Sequence, residues 1–542
     1  MLCNNNTPDV GKNPARLQLI SHSYAGGDYL SNIALVDQEG RQLYADEFFL
    51  NDWGARHRFV KAVHSQNHGV SPAELEAGLL QLLEELEDAE INGLDYLRLN
   101  SKGAVSGVDR EALVWDLMKR YSFKTFAGTT RDEILVYQGG VYLKRGEEVI
   151  RRECERRVPT AYLTTHEVNE VAGHIARSTY VERSQVDADP NIVNLKNGLL
   201  NLITGECTPH TPDFFSTVQL PLVYDPEAKC PQIEEFLKQI LRPEDKDPVL
   251  ELIGYCLVPE YTMQQAFLFL GSGANGKSTL LSLMAAFLGK ENVCSVSPQQ
   301  AETSPFILAT LYGKLLNAVG DMPSTPPQEG WTRFKQLTGG DIITAQRKYL
   351  EPINFVNHAK LVYSTQKPPK IGASDNSLAF WRRWVIVNFP RTFQGEACDR
   401  DILAKLTTEQ ELSGLVNLAL AGLKRLRAQG HFSSTTTIDE IMEHWDLAAD
   451  PVKVFVSLYC VADFSFAVER SKLYRAYCQF CQKRNIPTEC DANFGKSLRE
   501  VPGLTIRDER HREGGVEVRY YKGLKLNTDG EGLLEGKEDG AK

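Results

Sequence analysis

Between Pro231 and about Pro390, short apolar runs alternate with amphipathic stretches and polar loops. AFLFL at Ala266–Leu270, the run Leu315–Val319, the KLVYST that precedes Gln366 and the apolar stretch after Arg382-Arg383 read as buried strands. With helices between them they predict an α/β layer on a parallel sheet. Upstream the pattern is different. Residues 17 to 60 hold alternating patches such as LSNIALVD, which predict short strands. A helix follows, with a Ser71/Glu74 capping box, Pro72 at its first position and Leu75, Leu79, Leu82 and Leu86 on one face. LNSKGAVSG near residue 100 reads as a linker or loop, and EILVY-QGG-VYLKR as a hairpin. Helices are expected up to about residue 183. Then PNIVNLKNGLLNLITGECTPH alternates strands with Asn197-Gly198 and Thr204-Gly205 turns.

Downstream, residues 400 to 430 are helical in pattern. LYRAYCQFCQKR, NFGKSLREV and TIRDERHREGGVEVRYYKGLKL give helix, helix and hairpin, the order of a winged helix. The end, TDGEGLLEGKEDGAK, is acidic and Gly-rich and is expected to be disordered. The chain therefore divides into an α+β module at 1–100, a second α+β domain at 101–230 and a parallel-sheet core at 231–445. A winged-helix domain at 446–527 and a tail at 528–542 complete it. No internal repeat is visible.

Composition changes this picture little. The 542 residues are 42% apolar and 24% charged, as in ordinary soluble proteins. No run of 18 apolar residues predicts a membrane span, and the polar N-terminus lacks a secretory core, so a cytoplasmic protein is expected. The formal charge of −11 does not exclude nucleic acid, because binding depends on where basic side chains cluster. From Val452 to Asn527 there are 14 Lys and Arg against 9 Asp and Glu, a basic segment in an acidic chain. Eleven cysteines suit reduced thiols. Cys478 and Cys481 have zinc spacing, with Cys490 and His511 as further ligands. The pair also recurs at helical spacing with Tyr474 and Tyr477, which favours a core position, and a second close ligand pair is missing.

The strongest chemical signal is GSGANGKST. Gly271, Gly276, Lys277 and Ser278 satisfy G-x-x-x-x-G-K-[ST], with a buried strand before and an amphipathic helix after. Glycines, with Gly273 and Asn275 in the same loop, let backbone N–H groups surround a phosphate. The helix start at Lys277, Ser278 and Thr279 adds partial positive charge. Lys277 is suited to the β- and γ-phosphates of ATP, and the Ser278 hydroxyl to Mg²⁺. Asp321, after the next apolar run, is suited to the Mg²⁺ shell. Only one acid stands there, and Glu329 is a weak substitute for a second. Gln366 ends another strand, where an amide can sense a γ-phosphate. Arg382 and Arg383 precede the last strand, where an arginine can complete a neighbouring subunit's site. The run KQLTGGDIITAQRKYLEPINF predicts a turn and a hairpin with Arg347 and Lys348 near its tip, suited with Lys335 to a phosphate backbone.

In this order these motifs resemble the superfamily 3 helicases, and more narrowly the phage and plasmid primase-helicase family that includes poxvirus-type and satellite-phage replication proteins. The resemblance covers about residues 130 to 525. It implies an AAA+-like ATPase core and a homo-oligomeric ring, usually a hexamer, moving 3′ to 5′ on single-stranded or forked DNA with ATP and Mg²⁺. It implies roles for Lys277, Ser278, Asp321 and Gln366 at the nucleotide, for Arg382 or Arg383 as arginine finger, and for the hairpin with Lys348 on DNA. Gln366 departs from the family, which has Asn there.

In the winged helix, Asn493, Lys496 and Arg499 would face DNA, with Arg510, His511 and Arg512 in the wing. Primer synthesis needs paired acids on a strand. None occurs in the first 130 residues, and Asp187-x-Asp189 reads as a turn. Two other readings stay open: a nucleotide-switched DNA-binding initiator without unwinding activity, and a bifunctional primase-helicase. A separate primase or initiator partner is consistent with the first 100 residues, whose role the residues do not disclose.

Overall fold

The computed structural model describes residues 16–25, 28–36, 42–49, parts of 58–63 and 75–79, and 93–535 except 129–131, 349, 373–374, 394–398, 435, 485 and 514–515. The chain forms two compact units that divide between Tyr224 and Asp225.

In the first unit, Arg16–Ala25, Asp28–Val36 and Gln42–Phe49 pair antiparallel in sequence order. Leu75 and Leu79 are helical and buried, while Ser71, Pro72, Glu74, Leu82 and Leu86 lie outside the described residues. The expected division at residue 100 is corrected. Leu97–Leu99 pairs with Val105–Val108 across it, and the Asn100 carboxamide oxygen accepts from the N–H groups of Lys102 (2.9 Å) and Ala104 (3.0 Å). Of the two readings, linker or loop, the polar, Gly-containing stretch is the loop, a tight turn between paired strands.

Beyond it, helices Arg110–Arg120, Gly146–Arg157 and Thr165–Ser178 bury Leu113, Leu117, Ile150, Val171 and Ile175 together with Val136 of the sheet Phe123–Phe126, Glu133–Gln138 and Val141–Leu143. The expected hairpin closes over Gly139-Gly140. Leu195 pairs with Gly198, so Lys196-Asn197 is the turn centre instead of Asn197-Gly198. The Asn197 amide is engaged elsewhere, with the backbone of Tyr224 at 2.8 and 2.9 Å. Asp189 accepts from the Asn191 N–H at 2.9 Å, as a turn residue does.

The second unit is organised by five parallel strands: β1 Ala266–Leu270, β2 Val293–Cys294, β3 Leu316–Val319, β4 Lys360–Thr365 and β5 Trp384–Asn388. Their order across the sheet is β2-β3-β4-β1-β5, all pairs parallel. β1 and β4 are buried at every position, which explains runs without alternation. One side of the sheet packs an aromatic cluster of Trp331, Phe334, Phe380, Trp381, Trp384 and Trp445. Phe334 stacks on Trp384 with centroids 4.6 Å apart.

Trp445 belongs to helix Ile438–Ala449 and donates its indole N–H to the Pro369 carbonyl at 2.8 Å. The core therefore continues through that helix, past the expected limit at 445. Next come helix Pro451–Tyr459, strand Cys460–Glu469, helices Arg470–Lys483 and Asp491–Arg499, and hairpin Arg507–Glu513/Val516–Leu526. The expected disorder from 528 is also corrected. Thr528–Glu535 is a helix with Leu533 in the core, and Glu531 pairs with Lys472 at 2.7 Å. Residues 536–542 lie outside the described residues. Cys481 is packed with Tyr477, Phe480 and Phe494, and burial pushes its thiol pKa up. Among the described residues no three His, Cys, Asp or Glu side chains group as metal ligands, and no helix is long and apolar enough to cross a membrane.

Candidate nucleotide site

β1 ends at Leu270, six loop residues follow, and a helix runs from Lys277 to Leu288. Gly276 caps that helix at φ +87°, where a Cβ would meet Ile240 Cγ2 at 2.6 Å. At Gly271 a Cβ would lie 2.7 Å from the Phe389 carbonyl. Ala274 is held at φ +56°, a conformation costing on the order of 1 kcal/mol for a residue with a side chain. The loop is thus wound tightly by its neighbours. Its helix begins with N–H groups that have no acceptor within the helix, which makes an anion-binding end.

Lys277 is 7% exposed and uses all three ammonium protons on the loop: Gly271 O (2.8 Å), Ser272 O (2.9 Å) and Asn275 Oδ1 (2.8 Å). Burial pulls its pKa down to about 8, and the Asp321 carboxylate partly opposes this. Asp321 lies just beyond β3 and is exposed. Its neighbour Met322 is fixed to β4, donating to Ser364 O at 2.7 Å and accepting from Thr365 Oγ1 at 3.1 Å. Gln366, the residue after β4, has its Nε2 3.5 Å from where a Cβ on Gly273 would stand. Lysine, acid and amide therefore share the C-terminal edge of three adjacent strands, with exposed Ser278 in the first helical turn. Glu329 is exposed, within electrostatic reach of Glu302, which accepts from the Arg333 N–H at 2.6 Å.

The structure separates the two arginines. Both precede β5 at the opposite edge, since Trp384 pairs with Ala266 at the start of β1. A five-residue strand spans about 16 Å, so neither stands beside the Gly271–Gly276 loop of its own chain. Arg383 is buried at 9% exposure, donates to Thr338 Oγ1 at 3.0 Å and to the Ala379 carbonyl, and has its pKa lowered by burial and by Arg382. Arg382 is exposed, and its guanidinium donates to the Gln264 side-chain oxygen at 3.1 Å.

The hairpin pairs Ile342–Arg347 with Leu350–Val356, and exposed Lys348 is in its turn. Arg347 is exposed and donates to Glu351 O at 3.0 Å. Lys335 is drawn inward instead, 3.7 Å from Asp375. In the C-terminal body Asn493, Lys496 and Arg512 are exposed, whereas Arg499 pairs with Asp508 (2.6 Å), Arg510 with Glu517 (3.3 Å) and His511 with Glu509 (3.4 Å). Acids on the same hairpin offset much of the basic surplus.

One segment escaped sequence reasoning. Phe389–Phe393 is laid along the end of β1 and the Gly271–Gly276 loop: Phe389 N–H donates to Leu270 O (2.8 Å), Ser272 Oγ meets Thr392 Oγ1 (3.3 Å), and Phe393 N–H donates to Ala274 O (2.7 Å). Its only sequence signal is its place directly after the strand that turns out to flank β1.

Comparison with known proteins gives partial matches. Residues 110–242 match the family model described as "D5 N terminal like", and residues 269–383 one described as "Family of unknown function (DUF5906)". A protein of Acanthamoeba polyphaga mimivirus named "Putative helicase L207/L206" is 24% identical over 283 residues. That match spans 48% of this chain and only 26% of the viral protein. Among solved structures, the apo NrS-1 C-terminal region (305–718) is similar over 76% of this chain and 98% of that one, at 12% identity and TM-score 0.36. A JCV helicase structure is similar over 46% of this chain and 66% of its own, at 14% identity and TM-score 0.22.

Proposed function

We propose that the chain is an ATP-driven DNA helicase of a phage, plasmid or integrated element, working 3′ to 5′ on single strands as a homo-oligomeric ring, a hexamer in the simplest case. The carrying observation is the convergence of Lys277, Asp321 and Gln366 on one sheet edge beside a helix N-terminus. The inserted strand β4, between the phosphate-loop strand and the acid-bearing strand, supports an AAA+-like core of the superfamily 3 kind.

ATP would lie with its β-phosphate in the loop, its γ-phosphate toward Asp321 and Gln366. The residues fit Mg²⁺, because an exposed hydroxyl (Ser278) and an exposed carboxylate (Asp321) stand at the same sheet edge as the lysine. Bound there, the ion would supply charge neutralisation between the β- and γ-phosphates. Lys277 would leave its three carbonyl partners for phosphate oxygens. Gln366, longer than the family's Asn, reaches over Gly273 and would orient the attacking water. Arg382, presented outward at the far edge, is our choice for a finger completing the neighbour's site, and Arg383 is a support of the fold. For DNA we assign Arg347 and Lys348 on the hairpin, then Lys496 and Arg512 with the paired Arg499 and Arg510 on a winged helix. Lys335 leaves the set.

ATP hydrolysis by the full chain, measured with and without single-stranded DNA, tests this. Stimulation by DNA is expected, and the ratio of stimulated to unstimulated turnover should fall to near one in Lys348→Ala. A slow hydrolysis indifferent to single strands, with tight duplex binding, would instead favour the nucleotide-switched initiator. The helix-strand-helix-helix-hairpin order of the C-terminal body is the observation behind that second reading. Primers made on a single-stranded template would reveal a bifunctional enzyme.

A further inference from the structure

The strand order sorts the surroundings of the phosphate loop into two flanks. β4 and β3, on one side of β1, bring Gln366 and Asp321, the groups suited to a γ-phosphate. β5, on the other side, brings Phe389–Phe393. That segment is fastened to the loop through Phe389, Thr392 and Phe393, at Leu270, Ser272 and Ala274 respectively. Between the fastened residues stands Arg391. It is exposed, and among the described residues it has no carboxylate or hydrogen-bond partner. Arg382 and Arg383, nine and eight residues earlier, are at the other end of the same strand and cannot share this position.

We infer that Arg391 is a nucleotide-binding residue acting in cis, contacting the α-phosphate or ribose side of the nucleotide that the loop holds. The inference rests on the nucleotide reading of Gly271–Thr279. Because the flank of Arg391 is opposite the γ-phosphate groups, its contact is with the part that ATP and ADP have in common. A guanidinium offers a planar fork of donors to a phosphate, stronger than neutral hydrogen bonds. Its fixed place, one residue before Thr392, limits the freedom lost on binding. Arg391 thus supplies affinity for either nucleotide, while Arg382 of a neighbour supplies rate.

The test is equilibrium binding of ADP and of a non-hydrolysable ATP analogue to the full chain, beside steady-state hydrolysis. Arg391→Ala is expected to weaken both ligands about tenfold and to raise the KM for ATP similarly. Its kcat at saturating ATP should fall far less than in Arg382→Ala. Arg391→Lys should recover part of the affinity, because a charge remains without the fork. Both are surface changes, checked for folding by circular dichroism. Wild-type affinity for ADP in Arg391→Ala overturns the inference, and so does a loss confined to the ATP analogue, which would put the contact at the γ-phosphate. If the wild-type chain binds neither nucleotide, the reading of the loop fails and this assignment with it, a result distinct from both.

Discussion

Lys277 and Lys360 stand at opposite ends of the same parallel sheet, and burial pulls the pKa of each to about 8. Lys277 donates to three loop oxygens. Lys360 donates to the carbonyls of Val258 and His358 and lies 4.3 Å from the Tyr255 ring centre. By titration alone they are alike. What differs is the surroundings. Lys277 adjoins a helix N-terminus, the Asp321 carboxylate and exposed Ser278. Lys360 is 1% exposed, under the Tyr255 ring and within electrostatic reach of Cys256 and Glu260, so a ligand cannot reach it. A perturbed pKa marks a constrained group, and only access and neighbours show whether the constraint serves chemistry.

Exchanging the effects of the two lysines would break this contrast. Lys277→Ala is expected to abolish ATP turnover while leaving thermal unfolding close to wild type, since its contacts are to a loop. Lys360→Ala should do the reverse. It leaves buried carbonyls without donors beside a new cavity, a loss of about 2–4 kcal/mol read as a lowered Tm. Any surviving Lys360→Ala protein should still bind nucleotide. Loss of stability in the first variant, or of binding alone in the second, would show that the two ends are not divided as described.

The paired arginines repeat the lesson one residue apart. Arg382→Ala should lower kcat about a thousandfold, the scale of a lost arginine finger, with nucleotide affinity unchanged. Mixing it with Lys277→Ala protein should restore part of the turnover, because each mutant repairs a different side of a shared site. Arg383→Ala should instead lower Tm by the equivalent of about 1–3 kcal/mol, as Thr338 and the Ala379 carbonyl lose a buried donor. Rate loss without Tm loss in Arg383→Ala would reverse the assignment.

The parallel layer, the loop motif and the strand-end placement of Asp321 and Gln366 were legible because each depends on local pattern: apolar runs, glycine spacing, a polar residue after a strand. The difference between Arg382 and Arg383 was not, because it depends on Thr338, forty-five residues away, being packed beneath the second guanidinium. The Lys335–Asp375 pair was hidden for the same reason, since Asp375 reaches Lys335 only through the fold. Arg391 carried no motif. The order β4-β1-β5 alone brings its segment to the loop. At residue 100 and in the tail, composition pointed to flexibility. Asn100 side-chain bonds and Leu533 burial supplied the compensation that composition cannot show.

The smallest expected effect gives the sharpest version of the contrast. In the nucleotide-free chain Lys277 loses its proton near pH 8, below the usual lysine range. A bound polyphosphate favours the charged ammonium and so raises that pKa. Below pH 8 the lysine is already charged in both states, and the affinity for ATP should be flat with pH on its account. Above pH 8 binding must also take up a proton, so affinity should fall by up to about tenfold per pH unit until the bound-state pKa is reached. Lys360 titrates in the same window, but its proton is far from the ligand and should leave binding unaffected. Lys277→Arg separates the two: it keeps its charge throughout, and whatever affinity it retains should not fall above pH 8. A decline persisting in Lys277→Arg would assign the pH dependence to another group and remove the link between the loop lysine's burial and its work.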